Sequence, residues 1–76
     1  MQLPLSCLES KKDGVIKRLY GGMGFQRKIS SMGIRIGKIV RVISHQPFHG
    51  PIMIQVDSMR IAIGRGMANK IIVETK

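Results

Sequence analysis

Short runs of alternating apolar and polar residues, punctuated by glycine and proline at close intervals, predict a small all-β domain. Five runs qualify as strands. Gly14 to Tyr20 is apolar at Val15, Ile16 and Leu19, and its broken alternation predicts a bulge or a strand covered in part on both faces. Lys38 to Ser44 sets Val40 and Val42 on one face and Ile39, Arg41 and Ile43 on the other. Ile52, Ile54 and Val56 alternate with Met53 and Gln55, and after Asp57-Ser58 the pattern resumes with Met59, Ile61 and Ile63, so 52–63 reads as a hairpin. Lys70 to Glu74 carries Ile71, Ile72 and Val73, and is expected to pair with an early strand and close the structure.

One segment has a different period. Phe25, Ile29 and Met32 fall at i, i+4 and i+7 with polar residues between them, which predicts a short amphipathic helix inserted after the first of these strands. Gly33 stands where a left-handed C-terminal residue is needed, and Gly21-Gly22 and Gly24 supply a flexible entry. The apolar stripe itself is read as core packing.

The chain has 76 residues, enough for one modest core and a single domain over 1–76. With no Trp, one Tyr, two Phe and six Met, that core has to be aliphatic and adaptable. Thirteen Lys and Arg against four Asp and Glu give a net charge of +9, which favours anionic partners without choosing among nucleic acid, an anionic membrane face and an acidic protein. The cations are dispersed along the sequence, so a plain solvated basic surface is an equally good reading.

Cys7 is the only cysteine, which excludes an internal disulfide and suits a reducing cytosol. The apolar start, Met1 to Leu8, contains Pro4, lacks a preceding positive charge and is too short for a signal-peptide core, so it is expected to belong to the fold. The stretch between Ser44 and Val56 is free of Lys, Arg, Asp and Glu, but it contains two His, two Pro and a Gly and falls short of the roughly 20 apolar residues of a membrane span. A cytoplasmic protein is expected.

Chemistry leaves few candidates. Glu9, Asp13, Asp57 and Glu74 are scattered without a pairing suited to acid–base work, so no enzyme activity and no catalytic residue are expected. Gly21-Gly22-Met23-Gly24 lacks the rest of any phosphate-cradle motif and reads as turn geometry. His45 and His49 are four apart, but Pro47 and Gly50 make that segment a loop and two ligands are too few, so they are weak metal candidates that Cys7 or an acid would complete only if the fold brought it near, and no metal or cofactor is expected. A nucleic-acid-binding small β-barrel using the basic surface is the alternative function. Against it stands the shortage of stacking residues, with only Tyr20, Phe25 and Phe48 available and Phe25 expected inside.

Taken in order, several landmarks resemble the ferrous iron transport protein A (FeoA) family over nearly the whole chain. Leu5 precedes Gly14-Val-Ile; the glycine turn at Gly21-Gly22 leads into the helix that ends Arg27-Lys-Ile-Ser-Ser-Met-Gly33-Ile; Gly37 opens a valine-rich strand. Pro47 and Gly50-Pro51 mark the loop, and Met59-Arg-Ile-Ala-Ile63 is followed by Met67-Ala68 and Ile71-Ile-Val73. The resemblance implies a mainly β, SH3-like five-stranded small barrel with one short helix, acting as a cytosolic accessory of the ferrous iron transporter FeoB, which carries a cytosolic GTP-binding domain. Two positions depart from the family pattern. Ile63-Gly64-Arg65 stands where a Leu-Arg pair is common, and Ile29-Ser30-Ser31-Met32-Gly33 replaces Leu-Leu-Glu-Leu-Gly, removing an acid from the helix.

Docking to that transporter is therefore the expected function, through the exposed helix face, Gln26, Arg27, Lys28 and Ser31, and the loop tip, Pro47, Phe48 and His49. Phe48 is either an anchor for a partner or a lid on the barrel end, the lid being the more ordinary role for such a ring.

Overall fold

The computed structural model describes residues 1–75. In chain order the elements are β1 (Gln2–Pro4), a single 3-10 turn (Leu5–Cys7), β2 (Asp13–Leu19), α1 (Met23–Ser31), β3 (Ile39–His45), β4 (Ile52–Val56), β5 (Met59–Ile63), α2 (Arg65–Ala68) and β6 (Ile71–Glu74). All pairings are antiparallel, in one six-stranded sheet of order β1-β6-β2-β3-β4-β5. The five predicted strands are present. The terminal strand β6 pairs with the early strand β2, as expected, and on its other side it takes β1, which the alternation did not reveal.

The sheet wraps one aliphatic core because the inward parity is apolar on every long strand. Ile16 of β2, Val40 and Val42 of β3, Ile52 and Ile54 of β4 and Val73 of β6 are all fully buried. No buried polar or charged residue interrupts this core among the described residues, so its stability rests on area removed from water and on close packing. In β2 the register slips by one between Ile16 and Arg18, the bulge its broken alternation predicted. The extra residue turns both Lys17 and Arg18 to solvent while Ile16 stays inside. Gly14 has a different constraint. A Cβ there would sit 2.9 Å from Val73 Cβ, so β2 and β6 approach too closely at this point for any side chain.

Helix α1 packs Ile29 into the core, with Phe25 and Met32 half-buried beside it, which bears out the core reading of the stripe. Its end is a full Schellman motif: the Gly33 amide donates to the Ser30 carbonyl (3.0 Å), the Ile34 amide to the Ile29 carbonyl (3.2 Å), and Gly33 has φ 82. The hydrophobic contact that accompanies such a cap is Ile29 with Ile34, both fully buried. Both ends of the helix are tied to β2. The Gln26 amide nitrogen donates to the Leu19 carbonyl (2.9 Å), and beyond the cap the Gly37 amide donates to the Ile16 carbonyl (2.8 Å).

Candidate docking surface

The β3–β4 connection is the most exposed apolar feature of the molecule. Beyond the last strand pair, His45 with Ile52, the Gln46 amide donates to the Pro51 carbonyl and the Gly50 amide to the Pro47 carbonyl, both at 3.1 Å. Phe48 and His49 are thus the two central residues of a tight turn, and both have positive φ, 59 and 58. That is the type I′ geometry normally filled by Asn-Gly, because a Cβ in the left-handed region meets the neighbouring carbonyl. Two bulky L-residues hold it here. Phe48 is 98% exposed, so it covers no end of the barrel: the lid role fails because the turn projects the ring away from the core.

The helix residues expected to share this role divide. Arg27, Lys28 and Ser31 lie on the solvent face of α1, and the Ser31 hydroxyl donates to the Lys28 carbonyl (2.7 Å). Gln26 is half-buried, and its amide nitrogen serves the carbonyls of Leu19 and Gly21, so it fixes the helix entry and presents little to a partner. The ring of Phe25 lies over Gly21, where any Cβ would come within 2.6 Å of it, and carries the Lys70 ammonium at 5.3 Å from its centroid.

His45 is occupied structurally, its Nε2 standing 2.8 Å from the Leu8 carbonyl, to which it donates. His49 lies exposed in the turn, and no group of three or more His, Cys, Asp or Glu able to hold an ion occurs among the described residues. Cys7 is exposed.

The acids are distributed unevenly over the surface. Glu9, Asp13 and Glu74 line one open groove together with Leu3, Val15 and Ile39, and Asp57 borders the adjoining depression that shares Asp13 and Ile39. Three of the four are in exposed ion pairs, Asp13 with Arg41 (3.0 Å), Asp57 with Lys38 (2.9 Å) and Glu74 with the N-terminal ammonium (3.0 Å). Such pairs add little stability in water. The N-terminal ammonium and the Gln2 amide hydrogen-bond the Glu74 carboxylate and hold its pKa below the ordinary value. The cations of β2 and α1 are left without an acidic neighbour in hydrogen-bond range among the described residues.

These features define a class of small SH3-like β domain whose distinguishing surfaces are a projecting aromatic turn and an unbalanced basic side. The FeoA domain model matches residues 3–75, and the chain belongs to the FeoA domain family. It is similar to the "Putative Fe(2+) transport protein A" of Methanocaldococcus jannaschii, 39% identical over 71 residues, which cover 93% of this chain and 84% of that protein. Among solved structures it superposes on an iron uptake regulatory protein, FeoA, with a TM-score of 0.89 and 34% identity over 97% of this chain and 96% of that one. A manganese-dependent transcriptional repressor shares the fold alone, with a TM-score of 0.90 at 24% identity, this chain covering 42% of its length. No helix among the described residues is long and apolar enough to cross a membrane.

Proposed function

We propose that this protein is a non-catalytic, cytosolic accessory of ferrous iron uptake that docks on the cytosolic side of a FeoB-like transporter. Family membership supports the pathway, and the Phe48–His49 turn carries the docking claim. A solvent-exposed aromatic ring held in a costly backbone conformation gains nothing for the isolated domain, whereas a rigid, projecting ring loses little entropy on entering a partner's pocket. Pro47 stiffens the approach to the turn, and His49 flanks the ring. Arg27, Lys28 and Ser31 stay exposed on α1, outside this turn, with Gln26 holding the helix in place.

The test is calorimetric binding to the cytosolic GTP-binding domain and to the full-length cognate transporter in detergent, at physiological salt, with and without nucleotide. Saturable binding to either that Phe48→Ser lowers at least tenfold is the expected result. Binding to neither, or full affinity in Phe48→Ser, overturns the reading.

A further inference from the structure

The two anchor points of α1 on β2 have a consequence for charge. Gln26 ties the helix entry to Leu19, and Gly37 ties the segment after the helix to Ile16, so the β2 bulge carrying Lys17 and Arg18 lies between them. Arg27 and Lys28 are exposed on the helix, and Arg35 is exposed in the turn closed by the Lys38 amide and the Arg35 carbonyl (3.1 Å). Lys70 joins the same side through the bond between its carbonyl and the Tyr20 amide (2.8 Å), and the Arg18 guanidinium reaches the Tyr20 hydroxyl (3.2 Å). Six exposed cations thus surround the helix; of these Lys17 is close enough to Glu74 to act on its carboxylate through space, while Glu9 and Asp13 line the groove with Glu74 and Asp57 is paired to Lys38.

Exposed apolar side chains stand within this band: Met23 at 71%, Ile36 at 64% and Tyr20 at 52%. Ile36 occupies the corner before Gly37, whose φ of 95 shapes the turn, so it points outward between Arg35 and Lys38. Aliphatic tips among cations suit an interface that is anionic at the surface and apolar just beneath it. They do not suit nucleic acid, whose bases need flat rings to stack on, and only Tyr20 offers one here.

We propose that the band Lys17, Arg18, Arg27, Lys28, Arg35 and Lys70, with Met23 and Ile36 as shallow apolar anchors, binds the surface of an anionic phospholipid bilayer. The cations sit at headgroup level and the two aliphatic tips enter the headgroup–acyl boundary. The Phe48 turn is not part of this contact and stays free for a protein partner. The inference does not depend on the transporter, because protein-free vesicles test it.

The experiment is co-sedimentation with vesicles of phosphatidylcholine alone and of phosphatidylcholine with 30 mol% phosphatidylglycerol, at physiological salt, beside a single-stranded oligonucleotide in solution. Binding to the anionic vesicles and none to the neutral ones is expected. Each cation neutralised near such a surface lowers partitioning about fivefold, so Arg27→Gln with Lys28→Gln should weaken it about 25-fold, as should the separate pair Lys17→Gln with Arg35→Gln. Ile36→Ser should weaken binding with the charge unchanged, and Arg60→Gln, outside the band, should not. Thermal melts of each variant confirm folding. The proposal is overturned by no binding to anionic vesicles, by undiminished binding in both folded Gln pairs, or by an unaffected Ile36→Ser together with tighter binding to the oligonucleotide.

Discussion

The turn at Phe48 and His49 allows the cost of its geometry to be measured directly. An L-residue in the left-handed region costs about 1–2 kcal/mol, and two adjacent residues adopt it here, with φ 59 and 58. Phe48→Asn with His49→Gly installs the pair that type I′ hairpins prefer. Because Phe48 is 98% exposed, its removal takes no contact from the core. Asn keeps part of the left-handed cost at the first position and glycine returns about 0.5–1 kcal/mol through the freedom it gains in the unfolded chain, which leaves a net stabilisation of about 1–2 kcal/mol. A domain of this size melts about 4–8 °C higher per kcal/mol, so the double variant should gain about 4–16 °C in thermal denaturation and a higher urea midpoint at unchanged slope. The same variant should fail to bind the transporter. An unchanged or lower midpoint would refute stored strain in the turn, and a stabilised variant that docks normally would refute the anchor.

The remaining expectations concern the frame behind these surfaces. Gly14→Ala forces a methyl to within 2.9 Å of Val73 and should destabilise by about 1–3 kcal/mol in urea titration, with Val73→Ala recovering part of the loss. His45→Leu leaves the Leu8 carbonyl without its donor and should cost about 1–3 kcal/mol while docking and vesicle binding persist in the folded fraction. The folded-state pKa of Glu74 is depressed, so its contribution is present above the unfolded glutamate pKa and is lost as pH falls through the folded value. The protection factor of the Leu3 amide of β1, its exchange rate relative to an unstructured amide at the same pH, should therefore fall on acidification through the glutamate range, and Glu74→Gln should show the reduced protection at neutral pH.

How far the sequence revealed the molecule depends on the length of each signal. Strands β3 to β5 and helix α1 carry a clear period, β2 and β6 are marked by β-branched apolar runs, and the pairing Val56 with Met59 places the predicted turn at Asp57-Ser58, where Asp57 has φ 55. The C-terminal glycine of the helix was legible because Schellman geometry requires a left-handed residue one step past the cap. Strand β1 was not, since three residues show no alternation and its existence depends on β6, some seventy positions away. Helix α2 is four residues long with Gly66 inside it, too short and too flexible to leave a helical period. Gln26 read as a surface residue because the carbonyls it serves, Leu19 and Gly21, come within reach only once the chain folds back on β2. For the same reason the grouping of Glu9, Asp13 and Glu74 in one groove, with Asp57 at the adjoining depression, was invisible in a sequence where both signs are dispersed.

The two proposed contacts place different demands on the fold, and the architecture meets them in different regions. A pocket anchor has to be stiff, and Phe48 stands on a two-residue turn at the end of a hairpin whose strands are pinned by core residues Val42, Ile52 and Ile54. A bilayer contact has to be broad and shallow, which suits a short helix held at its two ends to β2, with cations on every exposed stretch between the anchors. Neither surface draws on the core, so variants at Phe48, Ile36, Arg27 or Lys28 remove function without removing the fold. Bilayer binding would also raise the local concentration of the domain beside an integral membrane transporter, so a modest docking affinity through one aromatic ring would be sufficient. Charge neutralisation on α1 should then weaken docking to the transporter in anionic liposomes more than docking to the same transporter in detergent, whereas Phe48→Ser should weaken both equally.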